Sequence, residues 1–211
     1  MKAALIATAI AAAVSAAQAG TLWVRVLDRA GEPVAGAAVI VRSLATPGAT
    51  QPLAPVEILQ QDMRFVPAVA VVTPGTVVRF SNRDSFDHHV RGTGGATFEY
   101  RIAGTDAARK DSKDRAAQVV LQAGAGTVSV GCYLHSRMAG NIYISESPYF
   151  GVSDADGRAR IDVPDGAVTV LAWHPQQLLE QSALPSQVVP GTQGMDLALN
   201  FTPRPASRKP R

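Results

Sequence analysis

Cysteine, histidine and methionine follow one another closely in one short stretch of the chain. The order is Cys132, His135 and Met138, a Cys-x2-His-x2-Met spacing, and Cys132 is the only cysteine in 211 residues. About forty residues upstream, His88 and His89 supply two adjacent imidazoles. Imidazoles, one thiolate and one weak thioether are the donor set of a mononuclear copper centre with a long axial ligand. These residue types therefore indicate transition-metal chemistry, and soft sulfur donors favour copper over magnesium or calcium.

Structural zinc and haem fit these residues less well. Structural zinc usually takes more cysteines, and covalent haem attachment needs Cys-x-x-Cys-His, which the sequence lacks. An ordinary structural role is the alternative, because Cys-x-x-His also occurs by chance and Met138 has the character of a core residue. Two strand patterns favour the site. Residues 127–130 alternate as a strand that ends at Cys132, and residues 77–82 form a strand leading towards His88.

Four ordered motifs surround the donors. They are Met-x-Phe-x-Pro at 63–67, Pro-Gly-x-x-Val-x-Phe-x-Asn-x-Asp at 74–84, His-x-Val at 88–90 and Gly-Cys-x-x-His-x-x-Met-x-Gly at 131–140. Together they resemble the cupredoxin (plastocyanin-like) family, and the short Cys-x2-His-x2-Met loop is similar to the amicyanin type. The resemblance implies a Greek-key β-sandwich that holds one mononuclear type 1 copper.

The same resemblance implies which residues bind the metal. They are His88, Cys132, His135 and Met138, with the cysteine bound as thiolate and the methionine as the long axial ligand. In the family, an asparagine often follows the first ligand histidine and braces the ligand loop. His89 takes that place here, so it either braces the loop or competes for the metal.

The resemblance also implies a surface for electron transfer around His135. In the family the edge of this imidazole lies in an apolar patch where electrons pass to partners. Leu134, Met138 and Ala139 are candidates for that patch, with core packing as their alternative role. Asn82 and Asp84 precede His88 and are candidates to support the ligands from behind.

The rest of the chain also has an all-β pattern. Residues 24–39 resemble the opening of carboxypeptidase-regulatory-like or transthyretin-like β-sandwiches, and the region from 147 to 202 has the turn and strand signals that such a sandwich still needs. We therefore predict a cupredoxin β-sandwich at 57–146 inserted in a second small β-sandwich, formed by 20–56 plus 147–202. The alternative is two consecutive domains, with the N-terminal strands paired to the copper-binding sheet.

The two ends of the chain have distinct compositions. Residues 1–19 have a cation, an alanine-rich apolar run and Ala-x-Ala, as in a secretory signal peptide, and the run is shorter than the ~18 residues of a membrane span. A membrane anchor is the alternative. Residues 203–211 are basic, proline-interrupted and predicted to be disordered. We expect a periplasmic protein, since its whole pattern, including Gly-x6-Trp-His-Pro at 166–175, resembles periplasmic proteins labelled methylamine-utilisation proteins.

The expected function is transfer of single electrons between redox protein partners. A copper storage or delivery module and a structural β-protein with an incidental metal site are the alternatives. Four histidines and four methionines are few for a delivery site, and they cannot build the extra copper centres of an oxidase or nitrite reductase. No enzymatic activity, nucleic-acid partner or membrane span is predicted. His174 lies far from the copper motifs and is not expected to be a ligand.

Overall fold

The computed structural model describes residues 19–44, 50–106, 115–122, 124 and 126–204. The predicted signal peptide up to residue 18 and the predicted basic tail from 205 lie outside them. Within the described residues there is no helix long and apolar enough to cross a membrane. All regular elements of these residues are strands: β1 (Ala19–Leu27), β2 (Ala38–Ser43), β3 (Val56–Gln61), β4 (Arg64–Val66), β5 (Val69–Val72), β6 (Thr76–Asn82), β7 (His88–Gly94), β8 (Phe98–Ile102), β9 (Ala116–Leu121), β10 (Gly126–Cys132), β11 (Ala139–Ile144), β12 (Tyr149–Val152), β13 (Arg158–Pro164), β14 (Gly166–Trp173), β15 (Leu184–Val188) and β16 (Gly191–Ala198).

The strands form four sheets, and the predicted all-β class is confirmed. Two sheets, β4-β3-β6-β9 and β5-β11-β10-β7-β8, are built from consecutive strands in the middle of the chain. They enclose the central core, a cluster that includes Phe80, Val90, Val128 and Ile142. The other two sheets, β13-β1-β16 and β12-β2-β14-β15, enclose the flanking core. Burial of these apolar faces is the main force that holds each pair of sheets together.

Alternation of apolar and polar residues explains why most strands bury one face. In β1, Leu22, Val24 and Val26 are buried in the flanking core, while Trp23 and Arg25 face outward. The same period of two appears in the strands of the central core.

The N-terminal strands pair with strands from the end of the chain. β2 is antiparallel to β14, from Ser43 opposite Val168 to Ala38 opposite Trp173, and it also pairs with β12. β1 is antiparallel to β13 and parallel to β16. This pairing supports an inserted central unit, and the domain boundaries 20–56 plus 147–202 and 57–146 remain a prediction.

A small third cluster joins the two pairs of sheets. Ala38 and Ile40 of β2 are buried against Val71 of β5, with partly buried aromatic residues around them. The rings of Tyr143 and Trp173 lie 5.5 Å apart at this contact. Trp173 therefore lies on the flank of its sheet, where it packs against Tyr143.

Candidate metal centre

Two neighbouring strands bring His88 and Cys132 to the same end of the central core. β10 ends at Cys132, and β7 begins at His88. Cys132 lies opposite Val90 in this antiparallel pair, and both side chains are buried. Because side chains alternate along a strand, His88 faces inward like Val90. The loop that follows β10 then returns His135 to the same point.

Three donor atoms converge there. His88 Nδ1 lies 3.1 Å from His135 Nδ1, and Cys132 Sγ lies 3.6 Å from each of these nitrogens. The point equidistant from the three atoms is about 2.0 Å from each, which is the length of a metal–imidazole bond and about 0.3 Å less than a metal–thiolate bond. The triangle therefore has the dimensions of a three-ligand metal site. Hydrogen bonds without a metal also give these distances, because an N–H at His135 Nδ1 and the Cys132 thiol are both able to donate to His88 Nδ1.

Asp84 fixes the orientation of the His88 ring. Its Oδ2 lies 2.8 Å from His88 Nε2 and also accepts from the Met63 N–H, while its Oδ1 accepts from the Asp62 N–H. Hydrogen bonding of Nε2–H to this carboxylate leaves the Nδ1 lone pair free to face Cys132. A carboxylate behind a histidine in this way is a common support for metal ligands.

The electrostatics of this pair favour a neutral ligand. Burial lowers the pKa of His88, and the neighbouring Asp84 only partly offsets it. Burial works to raise the pKa of Asp84, but the hydrogen bonds from His88, Met63 and Asp62 outweigh burial and hold the pKa below its usual range. A neutral imidazole beside an ionised carboxylate is the state that binds a metal, since ligand histidines must be deprotonated.

Asn82 holds the loop that carries Asp84. Its Nδ2 donates to the carbonyls of Phe86, Ile102 and Ala103, and its Oδ1 accepts from the Asp84 N–H. The side chain is buried, so these bonds are shielded from water. Both residues that the sequence nominated as supports therefore lie behind His88.

His89 points away from the donor triangle. Its Nε2 lies 2.9 Å from Glu99 Oε1, and its ring lies 5.3 Å from that of Tyr133. Only its backbone reaches the site, where the N–H donates to Cys132 Sγ over 3.4 Å. The ring therefore does not join the donor triangle, and a bracing role of the His89 side chain stays a prediction.

The loop from Cys132 to Met138 closes on itself. The Met138 N–H donates to the His135 carbonyl over 2.9 Å, and the Cys132 N–H donates to the Met138 carbonyl over 3.3 Å. The Met138 side chain is buried in the central core together with Cys132. Its expected contribution to an exposed patch is therefore wrong, whereas its predicted role as axial ligand stays a prediction.

Apolar groups surround the outer edge of His135, which is half-buried. Leu134 is 54% exposed and Ala139 is exposed, as expected for a surface patch. The Phe86 ring, 41% exposed, lies 5.0 Å from the His135 ring and 5.2 Å from the His88 ring. Sequence reasoning missed Phe86, although a single aromatic residue in an otherwise polar loop two positions before His88 was a usable signal.

His174 is built into the flanking half of the fold. It is buried, its Nδ1 accepts from the Gln176 N–H, and its ring lies 5.8 Å from that of Phe201. It is not part of the donor cluster, which comprises His88, Cys132 and His135 among the described residues.

Comparisons with known proteins find similarity among solved structures, whereas no family model and no curated protein matches. A purple cupredoxin from Nitrosopumilus maritimus is 16% identical over 43% of this chain and 99% of its own, with a TM-score of 0.34. Amicyanin from Paracoccus versutus is 18% identical over 51% of this chain and 97% of its own, with a TM-score of 0.35. A copper-containing nitrite reductase from Thermus scotoductus is 20% identical over 57% of this chain and 28% of its own, with a TM-score of 0.37. Similarity at this level assigns no function, which depends on the donor atoms themselves.

Proposed function

We propose that this chain is an exported, periplasmic electron carrier with one type 1 copper, bound by His88, Cys132, His135 and Met138. In this proposal it passes single electrons between redox protein partners and has no enzymatic activity of its own. The observation that supports it most strongly is the convergence of two imidazole nitrogens and one sulfur at metal-binding separations.

The chemistry of the donors favours copper over zinc. One thiolate, two imidazoles and a thioether match the soft, three-plus-one set that copper takes in electron-transfer sites, whereas structural zinc usually takes more cysteines. The only cysteine of the chain is in this cluster. In an oxidising compartment an unligated thiol is open to oxidation, so ligation also gives Cys132 a chemical reason to be there.

The surrounding residues suit fast electron transfer. Copper supplies one-electron chemistry between its monovalent and divalent states. The chain holds His88 through Asp84 and Cys132 through two strands, so the donor atoms move little when the charge changes. His135 alone of the three is half-buried, and Phe86 and Leu134 beside it provide an apolar surface on which a partner can approach.

Metal loading and absorption spectroscopy test the proposal. The copper(II)-loaded protein should bind one copper per chain and show the intense visible band of cysteine-to-copper charge transfer. Cys132→Ser should lose this band while its far-ultraviolet circular dichroism stays β-type. Colourless protein with a preference for zinc would refute the copper centre. Rapid loss of copper to a chelator, with no reversible one-electron reduction, would instead favour storage or delivery.

A further inference from the structure

A shallow cavity of about 620 Å³ lies on the outer face of the β13-β1-β16 sheet. It is on the side of β1 that faces away from the flanking core, and it shares no residue with the donor triangle. Trp23, Arg25, Arg158, Gly194 and Asp196 are among the residues that line it. Cavities of about 300–1,000 Å³ are typical of small-molecule sites, so the size is sufficient for one or two sugar rings.

Strand register arranges these side chains in two rows. Trp23 lies opposite Arg160 on one neighbouring strand and Gly194 on the other, and Arg25 lies opposite Arg158 and Asp196 on the same two strands. Residues directly opposite on one face are in contact distance of one another. An aromatic row and a charged row therefore lie side by side on one open surface.

The aromatic row leaves a platform for a ring. The Trp23 side chain is 39% exposed. Gly194 beside it leaves the surface open, since a Cβ there would meet only the Trp23 carbonyl oxygen, at 3.8 Å. An exposed indole next to a residue without a side chain provides a flat apolar face on which a planar or pyranose ring can stack.

The charged row holds two cations and one carboxylate, Asp196, which lies opposite Arg25 only. Arg25 and Arg158 are like charges on directly opposite positions, an arrangement that destabilises a sheet. Neither guanidinium forms an ion pair with a carboxylate of the described residues. Arg160 on the same face does, with Asp162 at 2.9 Å. The two unpaired guanidiniums offer forked donors that match the geometry of an external carboxylate.

We propose that this face binds an acidic carbohydrate, a pyranose ring that carries a carboxylate. The apolar side of the ring stacks on Trp23, and its carboxylate supplies a second negative charge between Arg25 and Arg158. Asp196 accepts hydrogen bonds from the hydroxyl groups of the sugar. The Asp196 carboxylate repels the two negative charges of a phosphate more strongly than the single charge of a sugar carboxylate. An acidic sugar therefore fits this face better than a nucleotide. The inference is independent of the metal centre.

Tryptophan fluorescence of the full chain during titration with an oligogalacturonate tests this site. We expect saturable binding that weakens with added salt because the exposed charges are screened, and little binding of the neutral maltohexaose. Trp23→Ala, measured by isothermal titration calorimetry because it lacks the reporting indole, and Arg158→Gln should each weaken binding about tenfold, as expected for loss of a stacked ring or a charge-assisted hydrogen bond. Gly194→Val should abolish binding, because its side chain fills the space beside the indole.

Matched variants separate the site from general effects. Trp173→Phe, which removes the tryptophan of another sheet, should leave the fluorescence change intact, and Arg79→Gln should bind like the wild type because Arg79 lies on β6 of another sheet, paired with Glu57. Circular dichroism and thermal unfolding check that each variant is folded. Wild-type affinity in folded Gly194→Val, equal binding of maltohexaose, or tighter binding of ATP than of the oligogalacturonate would overturn the proposal.

Discussion

Replacement of Asp84 by asparagine should weaken copper binding without removing any ligand. The carboxylate accepts on both sides, from Asp62 N–H at one oxygen and from Met63 N–H and His88 Nε2–H at the other. An asparagine amide has one acceptor and one donor end. If the amide nitrogen of the asparagine faces Asp62, it meets the Asp62 N–H, and two hydrogen-bond donors oppose each other. If it faces His88, the imidazole must shift its proton to Nδ1, which occupies the lone pair needed for the metal.

The size of the effect follows from these contacts. Either orientation loses one charge-assisted hydrogen bond, which contributes about 1.5–3 kcal/mol. Loss of a carboxylate behind a metal-bound histidine usually costs about 10–100-fold in affinity, which corresponds to about 1.4–2.7 kcal/mol. We therefore expect copper affinity to fall about 10–100-fold in Asp84→Asn. A competition titration of copper(I) against a chelator of known affinity, at fixed pH, measures it.

Glu99→Gln is the matched control, because it makes the same change beside the neighbouring histidine. Glu99 lies 2.9 Å from His89 Nε2 but is exposed and remote from the donor triangle. Exposed ion pairs contribute about 0.2–1 kcal/mol, and this one supports no ligand. The reasoning is refuted if both variants lose copper affinity equally, or if Asp84→Asn binds copper like the wild type.

Three further predictions concern the site and the stability of the fold. His88→Ala should lose far more copper affinity than His89→Ala in the same chelator titration, because only His88 faces Cys132; the opposite order would place the ligand one residue later. Gly104→Ala should weaken copper binding but keep its β-structure by circular dichroism, because a Cβ at this position overlaps the backbone of the loop before His88. Gly126→Ala is the control and should match the wild type, since its Cβ meets nothing within 4 Å. Equal copper affinities of the two variants would contradict this account. Burial lowers the pKa of His174 from its ordinary value of 6.5, so the unfolded chain binds more protons and the free energy of unfolding should fall as pH drops below 6.5. When this free energy is measured by urea unfolding at several pH values between 8 and 5, it should change less with pH in His174→Gln than in the wild type. An equal pH dependence in both proteins would count against the prediction.

The donor residues were predictable because their chemistry is distinctive and their strands alternate clearly. Cys132 was expected at the end of a strand and lies at the end of β10. The choice of His88 over His89 depended on family resemblance, yet Val90 also decides it. Val90 is buried opposite Cys132, so a period of two turns His88 inward and His89 outward.

The supports of the site were harder to predict. Asp84 was only one of two candidates, because the acceptor that a histidine finds depends on the path of a loop in three dimensions. The same holds for Phe86, which reaches both ligand rings from the loop before β7. Sequence motifs record which residues are present, whereas these contacts depend on how the Asn82 amide folds the loop.

Three strands at sheet edges, β8, β12 and β15, were not predicted from the sequence. Alternating apolar residues predicted β1, β10 and β14, whereas β2 is buried on both faces and shows no such alternation. β12 is short and none of its residues is buried, and β15 contains Pro185, so neither has a clear pattern of its own. Each of them is held in the extended conformation by its hydrogen-bonded neighbour: β12 pairs with β2, and β15 pairs with β14. β8 has buried Phe98 and Ile102 at its ends and did carry a signal that sequence reasoning overlooked.

The N-terminal strands cannot complete their sheets until the last strands of the chain have been synthesised. Gly20 pairs with Val163 and Gly191, and contacts this distant in sequence form slowly. The central strands pair among themselves and need no such delay. During that interval β1 and β2 present open apolar edges, which are templates for aggregation. Chains truncated after Ser145 should therefore aggregate, and removal of β1 and β2 as well should relieve this.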